Sequence, residues 1–469
     1  MEEVMDFLIC LLSLAFLMFV AYRGFSVILF APIAAIGAVM LTDPGNILPV
    51  YSGLFMSKMV TFIENYFPLF LLGALFGKLI EMSGFAQSIV TTVLRMIGRN
   101  QTLLAICIVS AVLTYGGVSL FVVAFAVYPF AAEMCRSTDV PKNLIPATII
   151  FGGATFTMDC LPGTPAIVNI IPTSFFHTSI YAAPVLGMIG ATLIFCSGYA
   201  YLEWSRRRMM AKGGGYAATC ELRSEPEILA DASLPNPWVA ISPLVMVGVL
   251  NLFFTKMLPV WYPAKIVVEM NAITKPITVN LPALQGIWAV EISLAIACLF
   301  VVCTSFKTLK AKFAGASQTA VGGAMLATMN TATEYGYGSV IAALPGFLVI
   351  RDALTSIPNP LLNEAITINA LAGIVGSASG GMSIALAAMA DSFVASANAA
   401  GIPLEVLHRV AAMASGGMDS LPHNGAVITI MAVCGLNHRE AYPYIFGIVI
   451  CKTFAAFAVI GIYYLTGWV

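Results

Sequence analysis

The chain has 469 residues, of which 59% are hydrophobic and only 10% charged, with a formal net charge of −1. Soluble domains carry about 25% charged residues. So apolar a composition over this length excludes a soluble fold and marks a polytopic membrane protein. The near-zero net charge also excludes a general nucleic-acid binder. Ten cysteines are scattered through apolar runs with no CxxC or metal-ligand spacing, and they read as packing residues.

The acidic start, Met1-Glu2-Glu3-Val4-Met5-Asp6, lacks the positive region of a cleaved signal peptide, so Phe7–Ala21 reads as the first span. Five further apolar units follow: Phe25–Leu41, Phe67–Ile80, Thr102–Phe130, Leu144–Phe176 and Tyr181–Tyr201. A polar, glycine-containing segment, residues 205–236, separates them from six more: Trp238–Phe254, Ile287–Val302, Gln318–Val349, Ala365–Ala390, Leu404–Val433 and Tyr444–Leu465. The expected organisation is therefore a first half (1–204), a flexible linker (205–236) and a second half (237–469). Arg206, Arg207, Arg208, Lys212 and Arg223 mark the linker as cytoplasmic, as Lys307, Lys310 and Lys312 mark their loop. Both chain ends then fall outside, in the periplasm if the membrane is a bacterial inner membrane.

Both fourth units contain a Gly-Gly break, Gly116-Gly117 and Gly380-Gly381. Both fifth units contain a near-repeat, Met158-Asp159-Cys160-Leu161-Pro162-Gly163-Thr164-Pro165 and Met418-Asp419-Ser420-Leu421-Pro422-His423-Asn424-Gly425. Leu144–Phe176 is too short for two full crossings of about 20 residues each. It reads as a re-entrant helical hairpin with its tip at residues 159–164. Each half then has five spans plus one hairpin. Because five is odd, the halves are expected to be inverted, with the first hairpin entering from outside and the second, Leu404–Val433, from the cytoplasm. The expected fold class is an all-α polytopic inverted repeat.

A helix that stops inside the membrane leaves backbone groups to be satisfied, and its start suits an anion. Thr164 followed by Pro165 fits such a start, and Asn424 holds the matching place. Gly116, Gly117, Gly380 and Gly381 would let backbone approach a ligand, with Ser119 and Ser383 adding hydroxyls; the alternative is that the breaks only kink and pack helices. Asp159 and Asp419 are expensive at the bilayer centre and are candidates for ion coupling. Burial disfavours the charged form of a carboxyl and equips it to bind a proton, although capping its own tip is an equal alternative. Glu334 is a further proton-site candidate. His423 reads as a carboxylate binder, a proton relay or a structural histidine. Lys452 reads as a snorkelling lysine, with substrate binding as the alternative, and His177 and His408 read as peripheral.

The ordered set of motifs resembles the gluconate permease (GntP) family of proton symporters, within a larger ion transporter superfamily. The residues that carry the likeness are Phe67-Pro68-Leu69-Phe70-Leu71-Leu72-Gly73-Ala74-Leu75-Phe76-Gly77-Lys78, Gly116-Gly117-Val118-Ser119, Gly380-Gly381-Met382-Ser383 and the segment from Gly417-Met418-Asp419-Ser420 to Asn424. The resemblance implies proton-coupled uptake of gluconate, related sugar acids or short hydroxy acids, opposed hairpins and often a homodimer. The apolar, proline-containing second tip departs from the gluconate-type pattern and points to a smaller or less hydroxylated acid.

The expected function is a secondary transporter of a small organic anion in the inner membrane, proton-coupled with sodium as the alternative, and neither an enzyme nor dependent on a cofactor or metal. Substrate contacts are expected from Ser119, Gly116, Gly117, Thr164, Gly380, Gly381, Ser383, His423 and Asn424, and ion coupling from Asp159, Asp419 and Glu334. A rival is an intramembrane aspartyl protease built on Asp159 and Asp419, which would need the two carboxyls within hydrogen-bond reach. A passive channel is a third reading.

Overall fold

The computed structural model describes residues 2–469 apart from Gly24, 99–100, Ser119, Thr219, 221–233, 270–275, 311–312, 348–356 and His423. Lipid offers no hydrogen bonds to the backbone, so apolar runs of this kind satisfy themselves as helices. In the first half the helices are Glu2–Tyr22, Val27–Thr42, a long run Pro44–Met82, Phe85–Ile97, Thr102–Tyr115, Leu120–Ser137, Leu144–Gly153, Phe156–Asp159, Ile167–Phe176 and Pro184–Ala211. The second half contributes Pro237–Trp261, Leu281–Lys310, Phe313–Ala343, Pro360–Val375, Ala378–Ala399, Leu404–Gly417, Gly425–Val433 and His438–Thr466. Among the described residues, six helices are long and apolar enough to cross a membrane.

Three details differ from expectation. The third unit begins at Pro44 rather than Phe67, because the stretch between them is helical throughout, with a π turn at Val50–Phe55. The helix entering the linker runs on to Ala211, and the linker's next residues are anchored: the Tyr216 N–H donates to Asp139 Oδ1 at 2.9 Å. The fold is not wholly α either. The β-branched segments Lys265–Val268 and Ile277–Asn280 pair as a short antiparallel ribbon, with Lys265 opposite Asn280.

Helices Pro184–Ala211 and His438–Thr466 lie antiparallel and act as a ruler for the rest. At one end the Val185 N–H donates to Val469 O (3.3 Å); at the other the Tyr201 hydroxyl donates to Pro443 O (3.1 Å). The second end is the linker face, where Asn143 Nδ2 donates to Glu440 O at 2.8 Å and Ser88 Oγ to Pro235 O at 2.7 Å. The first end is the far face, where Arg409 reaches Ala182 O and the Tyr464 hydroxyl reaches Asn359 Oδ1 at 3.1 Å.

This ruler relocates the hairpins. Leu144–Phe176 starts beside Glu440 on the linker face and ends just before Pro184 on the far face, so it crosses once as a broken helix. Its two arms have ten residues each, roughly 15 Å apiece, and placed end to end they span the core. Leu404–Val433 likewise crosses once, from Arg409 on the far face to His438 on the linker face. The fourth units are the ones that turn back. Thr102 Oγ1 and Thr138 Oγ1, at the two ends of the first, are hydrogen-bonded at 3.0 Å on the linker face. The second begins at Asn359 on the far face and ends four residues before Pro403, which opens the far-face arm at Arg409. Left-handed glycines make the reversals: Gly117 (φ +92°) at the first tip and Gly376 (φ +70°) at the second.

Candidate functional site

The two broken helices cross at their breaks. Gly416, at the end of the arm Leu404–Gly417, packs so closely on Asp159 that a Cβ there would overlap the carboxylate; at Gly417 it would overlap the Asn369 amide. This crossing brings Asp159 and Asp419 to a common partner that sequence reading missed. Lys452 Nζ, 1% exposed, lies 3.0 Å from Asp419 Oδ1 and 3.4 Å from Asp159 Oδ2. It also donates to Ala154 O at 2.9 Å, a carbonyl freed where the first arm stops. Lys452 is therefore not snorkelling. Two intramembrane carboxylates hold its ammonium in the interior, where each charge alone would be far more expensive.

A second buried cation lies beside the first break. Arg409 is fully buried and donates to Ala182 O from Nε and Nη2 (3.2 and 2.8 Å), and to Asp159 O and Asn169 Oδ1 from Nη1 (3.3 and 3.1 Å). His408, expected to be peripheral, is fully buried, with Nδ1 2.6 Å from Thr178 Oγ1 and Nε2 3.2 Å from Asn169 Oδ1. Asn169 Nδ2 in turn donates to Thr164 O (3.0 Å) and Ile180 O (2.9 Å). This network fixes the loop between the arms. With both aspartates ionised, Lys452 and Arg409 balance their charge.

The expected substrate contacts divide. Thr164 and Ser383 are fully buried, and neither hydroxyl has a hydrogen-bond partner among the described residues. Thr164 does not cap the second arm, which starts at Ile167 with Ala166 as its N-cap and no side-chain bond, because the chain stays extended after Pro165. Asn424 is a cap: its Oδ1 accepts from Val427 N (2.9 Å), while Nδ2 donates to Gly376 O (2.8 Å) and Asp419 O (3.0 Å). Its amide is thus occupied in holding the second hairpin tip to the second break. Gly116 faces the Leu244 side chain, Gly380 the Glu334 carboxylate and Gly381 the backbone of Ala372. At Gly117 a Cβ would come within 3.3 Å of Pro165 Cγ, so the first hairpin tip lies against the first break. The glycines serve close packing of chain on chain. Glu334 is buried beside the second hairpin tip with no ion pair among the described residues. Ser119 and His423 lie outside the described residues.

No hydrogen bond joins Asp159 to Asp419, and the lysine ammonium contacts both, which is not the arrangement of a carboxyl dyad sharing a proton. The cluster is nearly sealed: the side chains of Asp159 and Asp419 are 4% and 14% exposed. A cavity of about 220 Å³ opens elsewhere, near the far-face end of the first broken helix, lined by Tyr66, Ser174 and Tyr335 among others. None of the cluster residues lines it.

The sequence carried a signal for one of the two cations. Lys452 is a lone cation mid-span in a chain with two mid-span aspartates, which is a pairing signal. Arg409 carried none, because its partners are backbone carbonyls and an amide.

Opposed hairpins, broken helices crossing at charged breaks and a nearly sealed polar centre are the architecture of a polytopic membrane protein. Residues 67–332 match the model of the GntP family permease. The chain is 50% identical over 472 aligned residues to the transporter YxjC of Bacillus subtilis (strain 168), covering 99% of this chain and all of that one. The chain belongs to the GntP permease family and is a transporter rather than an enzyme. A Haemophilus influenzae transporter is 29% identical over 181 residues, 38% of this chain and 40% of that protein. Among solved structures, the Alcanivorax borkumensis YdaH transporter aligns over 88% of each chain with 15% identity and a TM-score of 0.47.

Proposed function

We propose that this permease is a secondary active symporter that takes up a small organic monoanion, a short hydroxy acid or related sugar acid, together with at least one proton. The observation that carries this reading is the ammonium of Lys452 held between the carboxylates of the two breaks. In the empty cluster two negative and two positive charges balance. A proton on Asp419, the more exposed of the two carboxylates, removes the partner 3.0 Å from Lys452 and leaves the cluster with one excess positive charge. A substrate carboxylate then binds Lys452, and proton and anion load as a neutral pair. The unpartnered hydroxyls of Thr164 and Ser383 suit the substrate's hydroxyl and carboxylate oxygens. Neutral loading matters because an interior-negative potential opposes an entering unit charge by about 2.3 kcal/mol per 100 mV.

The opposed hairpins support an inverted repeat. With the basic linker face assigned to the cytoplasm, the first hairpin enters from the cytoplasm and the second from the periplasm, the reverse of the order expected from sequence. Both chain ends remain periplasmic. Sodium coupling is the competing reading. The test is uptake into proteoliposomes under an imposed pH gradient, with sodium present or absent. Asp419→Asn should abolish accumulation against a gradient and retain substrate exchange; a mutant that still concentrates substrate with the normal pH dependence overturns the coupling role. A thermal-shift screen of sugar acids, hydroxy acids and dicarboxylates at two pH values identifies the substrate.

A further inference from the structure

The second hairpin contains a carboxyl that this mechanism does not use. Glu364 lies in the first arm, Pro360–Val375, and is fully buried, with neither carboxyl oxygen hydrogen-bonded among the described residues. The charged and titratable groups of the elements packed on this arm are engaged elsewhere or unpaired with it. Arg409 and His408 face Asn169 and the far-face loop, and Lys452 faces the aspartates. Asp391 on the hairpin's other arm and Glu405 near the start of the broken helix are not fully buried, and Asp6 is on the first helix. Tyr464 donates to Asn359, and Tyr463 meets the Tyr464 ring edge-on. An ionised carboxylate buried without a cation or donor would cost far more than a neutral acid in the same place. Burial of this kind therefore favours the neutral acid at Glu364. Glu364 sits five residues from the Asn359 cap, about 7–8 Å along the helix axis, on the far-face side of the aspartate cluster.

We infer that Glu364 is a second proton-binding site, loaded from the far face and carried within the second hairpin. The inference rests on the symport reading. It adds one proton per cycle to that carried by the aspartate cluster, so a monoanion moves with two protons and its uptake becomes electrogenic.

Two measurements on the full-length purified protein test it, using Glu364→Gln, a neutral near-isostere of the protonated acid that preserves the fold. Infrared spectra of wild type minus variant, in H2O and D2O, should show a deuteration-sensitive carbonyl stretch of a protonated carboxyl that belongs to Glu364. Its absence, or its removal by added sodium, overturns the site. Reversal-potential measurements in proteoliposomes should give a proton-to-substrate ratio one lower in Glu364→Gln than in wild type. An unchanged ratio, with the infrared band lost, overturns the transported role. If wild type moves no protons with substrate, the symport reading fails while the infrared result still reports on Glu364. Glu364→Asp, which retains a titratable group, should restore the wild-type ratio; failure to do so in folded protein counts against the site.

Discussion

Replacing Lys452 with methionine tests the centre of the argument, because the stem is kept and only the ammonium is lost. At an effective dielectric of about 20, a unit charge pair at 3.0–3.4 Å is worth roughly 5 kcal/mol. Lys452 makes two such contacts, offset by its own desolvation and by the repulsion of the two carboxylates it separates. Removing one partner of a buried ion pair typically costs about 3–5 kcal/mol, since a charge is left uncompensated. Lys452→Met should therefore be destabilised by about that amount at a pH where both aspartates ionise. The sign with pH is fixed. As pH falls, protonation neutralises the stranded carboxylates, so the deficit shrinks; as pH rises, it grows.

Denaturation of wild type and variant in the same detergent at several pH values measures this, with a double-mutant cycle as the internal check. Lys452→Met/Asp419→Asn removes both members of the shorter pair and should recover a substantial part of the stability lost in Lys452→Met alone. Substrate exchange, which Asp419→Asn keeps, should be absent from both variants that lack the lysine. A Lys452→Met protein as stable as wild type at high pH, with no recovery in the double mutant, would refute the claim that the ammonium compensates the two breaks.

Three other outcomes follow from the packing. Thr164→Val and Ser383→Ala remove buried hydroxyls that lack a partner among the described residues, whose burial costs about 1–3 kcal/mol each. Both should leave the unliganded protein at least as stable while raising the KM for uptake, and a loss of stability with unchanged KM would assign the hydroxyls to the scaffold. Gly416→Ala places a methyl on the Asp159 carboxylate and should destabilise by about 1–3 kcal/mol, as overpacking does, with transport lost in the folded fraction when assayed in proteoliposomes. Asn424→Ala uncaps the second arm and unties it from Gly376 O; the cap alone is worth about 1 kcal/mol, read as a lowered melting temperature in detergent.

The sequence made the breaks visible and misplaced the turns, and the reason is physical. Glycine pairs and Asp-x-Leu-Pro elements both interrupt an apolar run, but only chain reversal requires the two flanking arms to be neighbours. That contact is long-range, as in the bond between Thr102 and Thr138, and nothing in local composition encodes it. Length counted residues without fixing direction: ten residues on each side of the break at Asp159 suit a short hairpin or a single interrupted crossing equally well. Exchanging the fourth and fifth units within each half leaves parity unchanged, which is why a count of apolar units could not reveal the exchange.

The same limit explains the site. Asp159 and Asp419 stood out because a carboxylate in lipid is expensive wherever it points. Thr164 and Ser383 stood out by their place beside a break. What compensates a carboxylate is decided only when helices meet, and Lys452 is 33 residues from Asp419 and joins Asp159 from the opposite half of the chain. Arg409 was less legible still, because carbonyls exposed by a broken helix attract a guanidinium as a carboxylate does, yet every residue has a carbonyl. The first break thus supplies both a carboxylate and the backbone acceptors that fix a cation beside it, the second supplies a carboxylate, and any motion that separates the two broken helices must also divide Lys452 from one of its aspartates. Separation is inexpensive only when the abandoned carboxylate has gained a proton or another cation, or when an anion has replaced it at the lysine.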